Sequence, residues 1–341
     1  MSLRTEALRI SQMLSNLTVN WPMFRMDFGT LDLIESGAVN GDQFLAQALN
    51  DLGSSLKSIS RPEDYDAIGR AYEIYEEAAI YLLVMSRGFP LIRTPGTGGH
   101  GQKRPDFQCN HSLGTFFIEV KTLDFQDGWM RHREIANEAL NAKANLDAQA
   151  RKQGVHFGNP VEISSHRPGT GHADRIETAI KKIKGNAKMG QLIYGPTILV
   201  VDLRRLSCDA DDPLALLPTY FDAFPTSLAC VSGALWHIAF GHPGDLILTR
   251  PEFEGKSNLD RRLNEAGVYL DYPELMALVF VVRSLSGAPK IFALRKLTPN
   301  FSTLINPTSL AEHEIGEILH HLCDAVNNDR NEGAFEIQER T

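Results

Sequence analysis

The stretch Arg104–Thr122, RPDFQCNHSLGTFFIEVKT, decides how this chain is read. Its second half, Gly114–Thr122, is rich in aromatic and β-branched residues and predicts a buried strand. Two charges stand inside that strand, Glu119 and Lys121. Strand side chains alternate between faces, so Glu119 and Lys121 share one face and Val120 takes the other. Desolvating charge is costly, so carboxylate and ammonium beside Phe116, Phe117, Ile118 and Val120 require a compensating interaction. Asp106–Cys109 predicts a second short strand, with Asn110–His111 as the turn. If the two strands pair as a hairpin, Asp106, thirteen residues before Glu119, faces it across the ladder.

A metal ion supplies the compensation. Asp106, Glu119 and the carbonyl of Val120 offer the hard oxygen ligands that magnesium prefers, with water and a phosphate oxygen filling the remaining positions. Such an ion polarises a scissile phosphate and lowers the pKa of a bound water. Lys121 then holds the attacking water or stabilises the charge building on phosphorus. Two nearby carboxylates favour its charged form, which argues against Lys121 as the general base. The competing reading makes Glu119 and Lys121 an edge-strand ion pair and Asp106 a turn residue.

Outward from this stretch, Ile68, Tyr72, Tyr75, Ala79 and Leu82 recur at helical spacing and predict a helix over Asp64–Arg87, stopped by Gly88 and Pro90. Phe89–Arg93 reads as a short strand. It runs into TPGTGGHGQKRP, a loop without P-loop spacing or a following helix, which argues against nucleotide binding. Downstream, Trp129–Gln153 and His172–Leu192 read as polar helices around a Gly-, Pro- and His-bearing loop. Thr197–Leu203 is a continuous apolar strand of the kind buried on both faces. The central order is therefore helix, three strands, two helices, strand: an α/β arrangement with a mixed sheet flanked by helices.

Residues 1–60 read as helical, with breaks at Asn40–Gly41 and Gly53–Ser55. Beyond Asp209, the expectations are loop and helix over Asp211–Ala223 and a strand at Ala234–Phe240. A hairpin of Ala277–Arg283 and Lys290–Arg295 turns around Ser286–Gly287, and a helix covers Leu310–Asn327. This divides the chain into an N-terminal helical region (1–63), a core (64–205) and a C-terminal α/β extension (206–341) that continues the same sheet.

Pro105, Asp106, Glu119 and Lys121, set in this order of elements, resemble the PD-(D/E)XK nuclease superfamily and its restriction-endonuclease-like fold. The resemblance covers Asp64 to Leu203. It implies a magnesium-dependent hydrolase, with manganese as a substitute, that cleaves phosphodiester bonds in DNA more often than RNA. A restriction-type endonuclease acting as a homodimer is one such enzyme. Many members carry a further acidic residue on the helix before the strands. At ~100° per residue, Glu76 lies at the margin of the apolar stripe and is the candidate, with Glu73 intermediate and Glu77 solvated. Gln191 and Tyr194, three apart, depart from the Gln–Tyr spacing of some branches.

The net charge of −8 excludes indiscriminate coating of nucleic acid, but the charge is uneven. Trp129–Leu192 holds 11 Lys and Arg against 6 Asp and Glu. A local basic surface suits an enzyme engaging nucleic acid on one face. Lys181, Lys184 and Lys188 fall on one helix face, with Arg175 on the same helix, and such a stripe contacts phosphates or is simply solvated. Lys103 and Arg104 after the glycine-rich loop, and Arg167 in HRPGTGH, are further contact candidates. His313, His320 and His321 read as surface or packing residues. No apolar run spans a bilayer, no signal peptide is evident, and four scattered cysteines read as reduced thiols, so a cytoplasmic protein is expected. Two other functions fit the same residues: an inactive nucleic-acid-binding module of this fold, or a metal-dependent phosphoesterase on a small substrate.

Overall fold

The computed structural model describes residues 2–15, 26–61, 64–94, 104–123, 141–152, 172–187, 189–204, 220–223, 228–231, 233–248, 259–283, 289–306 and 310–330. They form two compact units, Met1–Leu82 with Asp124–Gly169, and Leu83–Leu123 with Thr170–Thr341. The division differs from the boundaries at 63 and 205 expected above. Three C-terminal strands join the same sheet as the Asp106–Glu119 strands, while most of the Asp64–Arg87 helix groups with the N-terminal helices.

The first unit is helical. It contains α1 (Leu3–Ser15), α2 (Phe28–Val39), α3 (Gln43–Ser58), most of α4 (Tyr65–Ser86) and α5 (141–152). Asp27 and Asp42 cap α2 and α3 by accepting from the Thr30 and Leu45 amides. The break at Asn40–Gly41 is present, with Gly41 at φ +92°, but Gly53–Ser55 lies inside α3. There, one glycine costs less than the burial of Leu52 and Leu56 on the same helix returns. Arg9 of α1 donates to the Leu56 and Ile59 carbonyls and so satisfies the C-terminal end of α3.

The second unit is built on a seven-stranded sheet in the order β1-β2-β3-β4-β9-β10-β11. The strands are β1 (Leu91–Arg93), β2 (Phe107–His111), β3 (Gly114–Thr122), β4 (Thr197–Asp202), β9 (Ala277–Arg283), β10 (Pro289–Arg295) and β11 (Ala325–Asn328). The sheet is mixed: β2 runs antiparallel to both β1 and β3, β4 and β9 run parallel to β3, β10 reverses, and β11 is parallel to β10. All six residues of β4 are buried, as a strand covered on both faces requires. Helix α6 (His172–Asn186) buries Ala173, Ile176, Ile180 and Ile183 at helical spacing. Outside the main sheet stand two further pairs, β5 (Tyr220–Ala223) with β6 (Leu228–Val231) and β7 (Leu246–Leu248) with β8 (Leu259–Arg262).

Several local expectations give way. Ala234–Phe240 is a helix, α8, bracketed by Gly233 and Gly241 and buried except at Trp236, and the short α9 (Val268–Asp271) follows it. A seven-residue apolar run carries no period that separates helix from strand. Leu310–Asn327 divides into α10 (Glu312–Leu322) and the edge strand β11. Helix His172–Leu192 breaks after Asn186 and resumes as α7 (Met189–Leu192). Residues 220–223 form a strand, and the β2–β3 turn is at Ser112–Leu113 rather than Asn110–His111. Residues 95–103 of the first glycine-rich loop, residues 153–171 of the second, and the Ser286–Gly287 turn lie outside the described residues. No helix among the described residues is long and apolar enough to cross a membrane.

Candidate functional site

The register of β2 and β3 assembles the site. Phe107 pairs with Ile118 and Gln108 with Phe117. One further step of this antiparallel ladder sets Asp106 opposite Glu119. The segment before β2 is held on its other side by β1, where the Thr94 amide donates to the Asp106 carbonyl at 3.0 Å. The Thr94 hydroxyl adds a hydrogen bond to the Pro105 carbonyl. Asp106 therefore stands at the mouth of β2 between two strands, and the proline before it offers no amide that would compete for pairing.

Asp106 Oδ2 accepts from the Val120 amide at 2.8 Å. In a strand the N–H and C=O of one residue point to the same edge. Phe117 donates the other way, to Pro196 ahead of β4. Val120 thus turns its carbonyl toward Asp106, where the sequence reading needs it. Glu119 and Lys121 share a face, as their register partners Leu199 and Val201 require. The Lys121 ammonium ion-pairs with Glu119 Oε1. Glu119 has 0% exposure, and its second oxygen, Oε2, has no hydrogen-bond partner among the described residues.

That surrounding shifts both acids. Burial pushes the Glu119 carboxyl up to about 7, the charge of Asp106 pushes it the same way, and Lys121 and, more weakly, the Asp106 backbone amide oppose both. Burial also raises Asp106, against the Val120 amide and the charges of Lys121 and Arg93. Arg93, exposed on β1, is a contributor that strand patterning did not single out. Among the described residues no group of three or more His, Cys, Asp or Glu converges on one point. A cation here would draw on two carboxylates, the Val120 carbonyl, water and substrate, a set of the kind magnesium accepts because it keeps several waters.

The other candidates fare differently. Glu76 is buried on α4 in the first unit, and Glu73 is exposed. Glu77, expected to be solvated, is half-buried, with Oε1 shielded from solvent. Lys184, only 17% exposed at its side chain, pairs with Asp271 at 2.5 Å. Lys181 is 61% exposed and pairs with Glu265 at 3.2 Å. The α6 stripe is thus partly neutralised by acids that lie far along the chain and that helical spacing cannot reveal. Arg175 is half-buried, and its Nε lacks a partner among the described residues. Lys103, Arg167 and Lys188 fall outside the described residues. His313, His320 and His321 are exposed on or beside α10, consistent with surface positions. Searched against family models, curated proteins and solved structures, the chain matches none of them.

Proposed function

We propose that this chain is a magnesium-dependent nuclease that hydrolyses phosphodiester bonds, with DNA as the favoured substrate and a restriction-type endonuclease as the closest functional analogy. One observation carries the reading. Glu119 faces Asp106 across β2 and β3 without solvent exposure, and its Oε2 has no hydrogen-bond partner among the described residues. A buried carboxylate oxygen short of donors is costly, and a hard cation relieves that cost.

Asp106 and Glu119 would hold the ion, with the Val120 carbonyl as the third protein ligand. A magnesium ion bound there supplies Lewis acidity toward a phosphate oxygen and a more acidic water. The chain's own groups do the rest. The Val120 amide fixes the Asp106 carboxylate, so its orientation costs no reorganisation when substrate arrives. Lys121, on the same face as Glu119, places a positive charge beside the reacting phosphate and balances the two acids. The raised Glu119 carboxyl makes proton and cation compete for one oxygen pair, so activity rises with pH through about 7.

A phosphoesterase acting on a small substrate is the second reading, favoured by the ion-paired lysines of α6. Incubating supercoiled plasmid, linear DNA, RNA and a small phosphodiester with magnesium or manganese separates the two. Cleavage of nucleic acid should fall by about a hundredfold or more in Glu119→Ala. Equal cleavage by wild type and variant would sink the nuclease reading.

A further inference from the structure

The sheet face that carries Asp106 and Glu119 continues into an aromatic and cationic cluster that the carboxylate pair does not explain. Phe117 precedes Glu119 by two residues and shares its face. Tyr194, between α7 and β4, meets the Phe117 ring edge-on, with centroids 5.1 Å apart at 85°. The neighbouring Gly195 makes this approach feasible, because a Cβ there would collide with the Phe117 ring. The Arg104 guanidinium lies over the Tyr194 ring, 5.5 Å from its centroid. Gln191 Nε2 donates to the Arg104 carbonyl at 3.4 Å and holds the backbone two residues before Asp106. Gln191 is itself only 8% exposed.

Arg104 makes no ion pair with any described residue, although Asp106 is two positions away. The cations that act on Asp106 are Lys121 and Arg93. Arg104 has instead turned onto an aromatic face. That seat strips water from one side of the guanidinium and leaves its in-plane N–H donors open. A planar fork of donors, half-buried and carrying an unbalanced charge, matches a phosphate. The contrast with Lys181 and Lys184, whose charges are met by acids, is direct.

We propose that Arg104, seated on Tyr194, binds a backbone phosphate of a nucleic-acid strand adjacent to the phosphodiester held at Asp106 and Glu119. The inference rests on the nuclease reading and specifies its substrate as a polymer, since a small ester with one phosphate leaves Arg104 without an anion. Tyr194 and Gln191 are positioning residues: one fixes the plane of the guanidinium, the other its backbone.

The test is fluorescence anisotropy of labelled DNA and RNA oligonucleotides with the full chain, in calcium to suppress cleavage, over a range of salt. Arg104→Ala should weaken binding about tenfold and lower the salt slope by about one. Arg104→Glu should weaken it further, and Tyr194→Ala should fall between Arg104→Ala and wild type. Melting curves establish that each variant is folded. Tighter binding of either nucleic acid, lost in both arginine variants, supports the proposal and identifies the strand. Unchanged affinity and salt slope in Arg104→Ala and Arg104→Glu would overturn it, as would absence of wild-type binding to both probes. The nuclease reading fails by a different observation, cleavage that survives Glu119→Ala, so the two failures are distinguishable.

Discussion

Glu119 on β3 and Asp202 at the end of β4 both have 0% exposure, on neighbouring parallel strands of one sheet. Asp202 pairs in register with Thr122 and so takes the face opposite Glu119. Its two oxygens are saturated. Oδ1 accepts from the Arg204 amide at 2.9 Å and from Arg204 Nε at 3.0 Å, while Oδ2 accepts from Nε at 3.0 Å and Nη2 at 2.5 Å. Glu119 has one ammonium on one oxygen and nothing described on the other. A carboxylate buried for structure is closed by local donors, two residues away in sequence. A carboxylate buried beside another acid, with an oxygen unpartnered among the described residues, is where the proposed cation would act.

The largest effect that sharpens this contrast is on the closed acid. Asp202→Asn breaks a buried bidentate pair and strands the Arg204 charge, at a cost of about 3 kcal/mol of folding stability. Urea unfolding measures it. Cleavage per folded molecule should hold at the wild-type level, because Asp202 points away from the Glu119 face. Loss of cleavage without loss of stability would erase the distinction and move Asp202 into the chemistry.

The open acid should respond with the opposite sign. The folded state holds the Glu119 proton up to about pH 7, whereas an unfolded chain releases it near the ordinary value of 4.5. Between those values the folded state binds the extra proton, so this group's contribution is full below the lower value and is lost as pH rises through the upper one. Glu119→Gln removes the charge that must be buried at high pH. It should raise stability by about 1–2 kcal/mol at pH 8, with the gain shrinking toward pH 5. A destabilised Glu119→Gln at pH 8 would mean that the Lys121 pair outweighs burial and that the oxygen is not held open at a cost.

How much of this was legible in the chain follows from the range of the forces involved. Strand β3 was readable to its ends because its aromatic and β-branched run is local and Gly114 begins it. The opposition of Asp106 and Glu119 follows from strand alternation and one short turn, and it survived a misplaced turn because both chain ends stayed in register. Partners set by the fold were illegible. The Asp271 and Glu265 acids reach α6 from about 85 residues away. Arg104 finds its seat on Tyr194, 90 positions on. Helix α8 is illegible for a related reason, since a short apolar run takes the conformation that its packing dictates, and in strand β11 nothing local to Ala-Val-Asn-Asn separates it from the helix before it. The superfamily resemblance supplied the proposed reaction, but the Glu119 Oε2 left without a partner among the described residues is a property of the packed sheet alone.

The smallest expected effect probes what Lys121 does for the open acid. Its ammonium lies on Glu119 Oε1 and lowers the Glu119 carboxyl against burial and Asp106. Removing it in Lys121→Met leaves only the Asp106 backbone amide against those two influences, so the Glu119 titration moves upward from about 7. In the proposed site cation and proton would share the same oxygens, so the pH at which magnesium raises the melting temperature should rise with it, by about half a unit after screening by water. The measurement is the magnesium-induced shift in melting temperature between pH 5 and pH 9 for wild type and variant. It needs no cleavage, so a loss of turnover in Lys121→Met cannot mask the result. A midpoint that moves downward would show that the ammonium competes with the cation more than it steadies the carboxylate. Lys121 would then serve the closed, metal-free pair, and Glu119 would be closer in kind to Asp202 than its free oxygen suggests.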